Sequence, residues 1–271
     1  MRTLAHISDI HFGHVDYRLV EAVVEKINEL RPDLVVVSGD LTQRAKSEQF
    51  REAREMLDRL PQPQIVVPGN HDVPLYNVFD RFVHPLEKYM KYITGDLQPF
   101  FADEEMAVLG INTSRSLTIK GGRINDEQVD DIMAKMSPIE NQKLKVIVTH
   151  HPFDVPEGHD EDDIVGRAEK VMPHISACGA DVFLAGHLHR SHTSESVRRY
   201  KLESGHSALI IQAGTATSTR ARGEPNSFNV LEFEHPRLAV KIMECLSSTD
   251  GFTVGDVKEY VQGENGWKRA T

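Results

Sequence analysis

Residues 65–72 have the sequence Ile-Val-Val-Pro-Gly-Asn-His-Asp, an apolar run that ends abruptly at polar side chains able to bind a metal. Such a run predicts a buried strand that delivers the side chains after it to the carboxyl edge of a sheet. Four other apolar runs end in the same way, at 4–7, 34–37, 144–148 and 182–185. The sequence therefore predicts strands that bring Asp, Asn and His side chains to one place.

The polar residues that follow these runs form five short motifs. They are Asp-x-His at 9–11, Gly-Asp at 39–40, Gly-Asn-His-Asp at 69–72, His-His at 150–151 and Gly-His-x-His at 186–189. Each motif alone is weak evidence, but all five at strand ends of one chain indicate a metal-binding constellation. Imidazole, carboxylate and amide ligands suit iron, manganese, zinc or cobalt, and the absence of cysteine from the set argues against a thiolate zinc site.

Length and composition indicate a globular chain. At 271 residues and 39% hydrophobic residues, it can fill the core of one large domain or two small ones. No stretch approaches the roughly 20 apolar residues of a membrane span, and the start of the chain resembles a strand rather than a signal peptide, so we expect a cytoplasmic location. Two cysteines, Cys178 and Cys245, argue against a disulfide framework and a zinc ribbon.

The charge balance limits the substrate classes. A net charge of -10 disfavours general nucleic-acid binding, which depends on clustered Lys and Arg. An acidic protein can still hydrolyse phosphate esters if metal ions supply positive charge. The acidic run 157–163 is predicted to be a solvated loop, because it lacks the ligand spacing and central glycine of a calcium loop.

The first half of the chain alternates between predicted strands and helices. Helical spacing of apolar residues over 19–30 and 50–60 favours parallel strands covered by helices. Residues 73–98 interrupt this rhythm with a helical, aromatic-bearing excursion. We expect it to lie near the site as a cap, and ordinary core packing is the alternative. A hairpin over 100–111 and a helix over 126–136 follow.

The second half predicts a helix that ends near Cys178 and then short strands. Four runs predict antiparallel strands completing a second sheet, at 193–200, 208–212, 228–233 and 238–243. The polar tail, 247–271, has a weak helical periodicity that predicts a helix docking loosely or joining a partner chain. We therefore expect one domain over 1–246, with 73–98 as its cap and 247–271 as its tail.

In this order, the five motifs resemble the calcineurin-like metallophosphoesterase superfamily. The pieces at 7–11, 69–74, 150–152 and 186–189 are most similar to the bacterial class III 3',5'-cyclic nucleotide phosphodiesterases. The resemblance implies an α/β fold in four layers, an α-β-β-α sandwich of two mixed β-sheets flanked by helices. It also implies a site for two divalent or trivalent metal ions, which can be manganese, iron, zinc or cobalt.

The resemblance also assigns the metal ligands, in two groups that share one carboxylate. They are Asp9, His11 and His189 for the first ion, Asn70, His150 and His187 for the second, and Asp40 between the two. Two ions about 3.5 to 4 Å apart can share a hydroxide and hold both the attacking and leaving oxygens of an in-line displacement. The family pattern makes His71 the catalytic group that protonates the leaving oxygen or stabilises the transition state.

Several neighbouring residues have open roles. Asp72 either orients His71 or a neighbouring loop, or it caps a turn, and His151 is expected to shape the rim rather than bind a metal. The substrate-binding candidates are Asn70, His71, Asn112, Arg220 and Arg222. For Asn112 the alternative is a strand-end hydrogen bond. The two arginines can hold a phosphate by paired hydrogen bonds, and the alternative for at least one of them is exposure to solvent.

The resulting hypothesis is a metal-dependent phosphodiesterase acting on a small molecule, with 3',5'-cyclic nucleotides as one substrate. A phosphomonoester, a glycerophosphodiester or a nucleic-acid end is the alternative, because the pocket outside the metals sets specificity. A protein-binding scaffold that lost its metals is a third interpretation, which the full set of ligand positions disfavours. A homodimer is a further expectation, drawn from the habit of the family.

Overall fold

The computed structural model describes residues 1–75, 78–115, 121–200, 202, 205–219, 224–247 and 251–270. The helices within these ranges are α1 (Tyr17–Leu30), α2 (Ser47–Asp58), α3 (Val78–Val83), α4 (Glu87–Tyr92), α5 (Asp126–Met136) and α6 (Ala168–Ala177). The strands are β1 (Arg2–Ile7), β2 (Leu34–Val37), β3 (Gln64–Val66), β4 (Phe100–Ala102), β5 (Met106–Gly110), β6 (Leu144–Val148), β7 (Val182–Ala185), β8 (His192–Glu195), β9 (Leu209–Gln212), β10 (Asn226–Glu234), β11 (Arg237–Cys245), β12 (Thr253–Gly263) and β13 (Gly266–Arg269).

These strands form two mixed sheets. The first sheet has the order β13-β12-β11-β10-β1-β2-β3, and the second has the order β4-β5-β6-β7-β9-β8. Parallel pairing joins β1 to β2 and β2 to β3 in the first sheet, and β5, β6, β7 and β9 in the second. The carboxyl ends of the strands that precede the five motifs therefore meet at one edge of each sheet.

Three apolar clusters hold the layers together, and they confirm the predicted four-layer α/β sandwich. The central cluster fills the space between the sheets with alternate residues of both, such as Leu34 and Val36 facing Val146 and Leu184. The second cluster packs α1 and α2 against the outer face of the first sheet, and the third packs α5 and α6 against the outer face of the second. The central strands of each sheet are thus buried on both faces, which explains why they are almost wholly apolar.

The excursion over 73–98 is helical, as predicted, through α3 and α4. Tyr89 of α4 is fully buried, its ring lies edge-on to Phe50 of α2, and its hydroxyl donates a hydrogen bond of 2.9 Å to the Val66 carbonyl. The contacts of Tyr89 are therefore those of ordinary core packing, the alternative to a cap. Residues 76 and 77 lie outside the described residues, and the proximity of the excursion to substrate stays a prediction.

The sequence interpretation was wrong about how the later strands assemble. The 208–212 run, as β9, lies parallel to β7, and only β8 beside it is antiparallel. The runs over 228–243 do not join the second sheet, because β10 returns to pair with β1 in the first. Strand order depends on contacts between distant segments, which the local pattern does not contain.

The helix predicted in the tail is also wrong. Residues 253–269 form β12 and β13, which extend the first sheet beyond β11. Tyr260 and Trp267 turn inward and are 5% and 1% exposed, and the Trp267 indole donates to Asp181 Oδ1 over 2.8 Å. The spacing of Val257, Tyr260 and Val261, which all lie on β12, was mistaken for helical periodicity. The boundary at 246 and a role of the tail in oligomerisation stay predictions.

None of the helices in the described part of the chain is long and apolar enough to cross a membrane.

Candidate metal centre

The site forms where five polar turns leave β1, β2, β3, β6 and β7. The backbone takes the left-handed conformation at five of the predicted ligand positions, a region that residues other than glycine seldom occupy. These positions are Asp9 (φ 53°), His11 (φ 58°), Asp40 (φ 53°), His187 (φ 75°) and His189 (φ 58°). Strained backbone of this kind persists where the surroundings enforce it, and it is concentrated at functional sites.

Two glycines allow the turns to approach one another. A Cβ atom on Gly69 would lie 2.1 Å from Asp40 Oδ1, and one on Gly186 would lie 2.4 Å from Asp9 Oδ2. Both distances are shorter than a side-chain contact permits, so only glycine fits. The motifs Gly-Asn-His-Asp and Gly-His-x-His therefore begin with glycine for a steric reason.

The structure brings the first predicted ligand group together. His11 Nε2 and His189 Nε2 lie 3.1 Å apart. Asp9 Oδ1 lies 3.7 Å from His11 Nε2 and 3.3 Å from His189 Nε2. All three side chains are buried, so their nitrogen and oxygen atoms converge on a small space from which water is largely excluded.

The second group converges beside the first. Asn70 Oδ1 lies 3.0 Å from His150 Nε2 and 3.2 Å from His187 Nδ1, and these two imidazole nitrogens are 3.3 Å apart. Asp40 Oδ2 lies 3.4 Å from His150 Nε2 and 3.7 Å from His11 Nε2. Asp40 is therefore the carboxylate that faces both groups.

The donor set fits transition-metal ions. Asp9, His11, Asp40 and His189 offer ligand atoms that all lie within 4.8 Å of one another, and His150, His151 and His187 form a second such group. Within the described part of the chain, Asp9 Oδ1, which faces the imidazoles of His11 and His189, is a buried oxygen without a hydrogen-bond partner. A buried acceptor left without a proton donor is costly, and a cation beside it would satisfy it.

The electrostatics of the two groups differ. Burial lowers the pKa of His11 to about 3, so this imidazole is neutral and keeps a lone pair for a metal. Burial also lowers the pKa of His150, but the carboxylates of Asp40 and Asp9 outweigh it and raise the pKa to about 9. Burial raises the pKa of Asp40, yet the imidazoles around it bring that pKa well below its ordinary value. A metal ion at Asp40 and His150 would thus replace a proton.

His71 lies at the edge of the first group, with its ring edge-on to that of His11 at 4.9 Å. Its backbone N–H donates to Asp40 Oδ1 over 2.8 Å. Its Nδ1 lies 3.0 Å from the backbone oxygen of Gln43 and 3.1 Å from Nε2 of the same residue. The sequence did not single out Gln43, because no motif marks a residue that acts through its main-chain carbonyl.

Asp72 stabilises the turn rather than the imidazole of His71. Its carboxylate accepts hydrogen bonds from the backbone N–H groups of Leu41 (3.2 Å), Thr42 (2.9 Å) and Gly69 (2.9 Å). Burial and the nearby charge of Asp40 raise the pKa of Asp72 to about 6. These contacts match the second predicted role of Asp72, which is to cap a turn.

The remaining candidates lie around this centre or outside the described residues. His151 Nδ1 lies 2.8 Å from the Thr113 hydroxyl, although the ring is also close to those of His150 and His187. Asn112 uses its Oδ1 to accept from the Ser114 N–H over 2.9 Å, which is the strand-end alternative. Arg220 and Arg222 lie outside the described residues.

Sequence comparison gives the family. Residues 2–191 match the calcineurin-like phosphoesterase family. The chain is 32% identical to the glycerophosphodiester phosphodiesterase GpdQ of Enterobacter lignolyticus over 160 residues, which are 55% of this chain and 56% of that protein. It is 23% identical to a probable cyclic nucleotide phosphodiesterase of Synechococcus over 205 residues, covering 70% of this chain and 74% of that protein. The matched region thus spans little more than half the length of the first relative.

Two solved structures share the fold. Purple acid phosphatase PPD1 from yellow lupin superposes with a TM-score of 0.71 at 12% identity, over 95% of this chain and 53% of that one. A dimetal phosphatase from Danio rerio superposes with a TM-score of 0.62 at 16% identity, over 89% of this chain and 95% of that one. The matched residues include every motif whose side chains converge in the structure, and the chain belongs to the calcineurin-like phosphoesterase family.

Proposed function

We propose that the chain is a dinuclear metal-dependent phosphodiesterase that acts on a small molecule. The observation that supports this proposal most strongly is the pair of three-residue groups that face one carboxylate. Asp40 Oδ2 lies within 3.7 Å of His11 Nε2 and within 3.4 Å of His150 Nε2. One oxygen atom in contact with both groups suits a ligand shared by two ions.

The ligand assignment follows the two groups. Asp9, His11 and His189 would hold the first ion, Asn70, His150 and His187 would hold the second, and Asp40 would hold both. When bound, the two ions supply Lewis-acid activation of the phosphoryl group and of the attacking water. Manganese, iron, zinc and cobalt all accept this mixture of imidazole, carboxylate and amide donors.

His71 is proposed to donate the proton that the leaving oxygen needs. In the imidazolium both ring nitrogens carry a proton, and the one on Nδ1 is donated to the Gln43 carbonyl oxygen, 3.0 Å away. The opposite nitrogen, Nε2, then carries the exchangeable proton of the imidazolium. An imidazole can perform this step near neutral pH.

The proposal leaves the leaving group of the substrate unassigned. The relatives include a glycerophosphodiester phosphodiesterase and a probable cyclic nucleotide phosphodiesterase, so both kinds of phosphodiester are candidates. Two dications against the carboxylates of Asp9 and Asp40 leave a charge of about +2, and the attacking hydroxide would bring it to about +1. A diester monoanion neutralises that charge, whereas a monoester dianion exceeds it. The Arg220 and Arg222 candidates, with Asn70, His71 and Asn112, stay proposals for binding it.

The test is turnover of manganese-loaded protein on four substrates side by side. They are 3',5'-cyclic AMP, glycerophosphoethanolamine, bis(p-nitrophenyl) phosphate and p-nitrophenyl phosphate. We expect the diesters to be turned over faster than the monoester. Whichever of the two natural diesters is hydrolysed faster identifies the kind of leaving group. The Asp40→Asn protein, loaded in the same way, is the control for contaminating phosphatase. Faster turnover of the monoester would overturn the proposal.

The metal count separates the enzyme from the scaffold alternative. We expect about two ions per chain after reloading with manganese and removal of free metal. Fewer than one ion per chain would favour a protein-binding scaffold. The homodimer and the cytoplasmic location stay predictions, which gel filtration with light scattering and cell fractionation would test.

A further inference from the structure

The acidic segment over 157–163 contains one residue that does not face solvent like its neighbours. Glu161–Asp163 is a short 3-10 helix in which Asp160 accepts from the Asp162 N–H. Asp160, Glu161 and Asp162 are exposed, as expected for a solvated loop. The side chain of Asp163 is only 25% exposed and turns toward the metal centre.

Asp163 reaches the metal centre through His187. Asp163 Oδ1 lies 3.5 Å from His187 Nε2, and the His187 side chain is 9% exposed. The other ring nitrogen of His187, Nδ1, is the one that lies among the second ligand group, 3.2 Å from Asn70 Oδ1. The carboxylate and the proposed metal position are thus on opposite nitrogens of one imidazole.

The backbone of His187 is fixed independently of Asp163. Its N–H donates to Asp9 Oδ2 over 2.9 Å, and its backbone takes the left-handed conformation with a φ of 75°. The ring can still rotate or change tautomer about this fixed backbone. Two acceptors then compete for the proton of the ring, Asn70 Oδ1 at 3.2 Å from Nδ1 and Asp163 Oδ1 at 3.5 Å from Nε2, and of the two only Asp163 is charged.

His150, the other imidazole of the second group, shows the same arrangement with a weaker acceptor. Its Nδ1 lies 2.8 Å from the carbonyl oxygen of Ser38, which leaves Nε2 facing Asp40 and Asn70. A main-chain carbonyl is neutral, whereas Asp163 carries a charge. An outer carboxylate orients a ligand imidazole and increases its basicity as well.

We propose that Asp163 is a positioning residue for the second metal ion: it accepts the Nε2 proton of His187 and so keeps Nδ1 free to bind the ion. The inference rests on the proposed metal centre and concerns one ion of the two. It makes the affinity of the second ion depend on a residue outside both ligand groups.

The experiment is a manganese titration of the metal-free protein, with free Mn²⁺ followed by its EPR signal. We expect Asp163→Ala to bind the second ion about 10–100-fold more weakly than the wild type, with the first ion little affected. Asp163→Asn keeps a hydrogen-bond acceptor without its charge and should lose less affinity. Asp162→Ala, which changes an exposed carboxylate on the same turn, is the matched control and should bind like the wild type.

A second readout separates positioning from a general structural role. The ¹⁵N spectrum of the neutral His187 ring in the metal-free protein should show the proton on Nε2 in the wild type and in Asp162→Ala, and a mixture of the two tautomers in Asp163→Ala. Wild-type affinity for both ions in Asp163→Ala would overturn the inference while leaving the proposed function intact. Failure of the wild type itself to bind two ions would instead overturn the proposed function.

Discussion

The backbone N–H of His71 donates a hydrogen bond of 2.8 Å to Oδ1 of Asp40. Asp40 therefore acts on two parts of the site at once, because its other oxygen faces both ligand groups. The turn that carries the proposed proton donor is tied to the carboxylate that the two ions would share. The position of the donor is thereby coupled to the position of the ions.

If both ions share Asp40, the metal content should depend on which ligand is changed. We expect Asp40→Asn to bring manganese from about two ions to fewer than one per chain, because an amide replaces the charge that both ions need. His189→Ala should remove only the first ion. Elemental analysis after removal of free metal measures both. Equal losses in the two variants would show that Asp40 is not shared.

The proposed role of His71 predicts a loss of rate without a loss of metal. His71→Ala should lower kcat on a diester by roughly a hundredfold or more, the usual scale for removal of a general acid. The metal content of the variant should stay at the wild-type value, because the His71 ring belongs to neither ligand group. His174→Ala changes an exposed histidine on the outer helix α6 and is the control. An unchanged rate in His71→Ala would remove this residue from the chemistry.

The buried His6 predicts how stability depends on pH. Burial lowers its pKa from 6.5 to about 3, and its Nε2 lies 2.9 Å from the Ser38 hydroxyl. Between these two values the unfolded chain binds a proton that the folded chain does not. Stability from this group is therefore complete above pH 6.5 and falls as the pH is lowered, by at most about 1.4 kcal/mol per pH unit.

His6→Gln removes this titration. Urea unfolding of the metal-free wild type and variant at pH 7, 6 and 5 measures it, because the difference between the two cancels the contribution of the other histidines. We expect the wild type to lose stability relative to the variant as the pH falls. A difference that stays constant with pH would show that His6 is not held neutral in the fold.

The end of the chain is expected to contribute to stability. Trp267 is 1% exposed between the sheets, so Trp267→Ala should lower the free energy of unfolding by about 3–5 kcal/mol. It also removes the indole donor to Asp181 Oδ1. Val254→Ala, at a residue 53% exposed on β12, is the control and should cost less than about 0.5 kcal/mol. Equal effects in urea unfolding would show that β12 and β13 are not part of the cooperative fold.

The sequence determined the parts of this protein that short segments encode. Each ligand motif follows its apolar strand directly, so the strand end places the motif, and the residue types limit what it can bind. The alternation of strand and helix over the first 72 residues likewise predicted parallel pairing, which β1, β2 and β3 show. The acidic segment was correctly expected to be exposed at Asp160, Glu161 and Asp162.

The tertiary structure alone decided what depends on contacts between distant segments. Gln43 is 28 positions from His71 in the sequence and contacts it through the main-chain carbonyl. Every residue has such a carbonyl, so no side-chain pattern could predict this contact. Asp163 differs from its acidic neighbours only in the direction that a 3-10 turn gives it. The tail forms two strands, and Trp267 on the second packs into the apolar cluster between the sheets. That cluster exists only after the rest of the chain has folded, so the local sequence does not predict it.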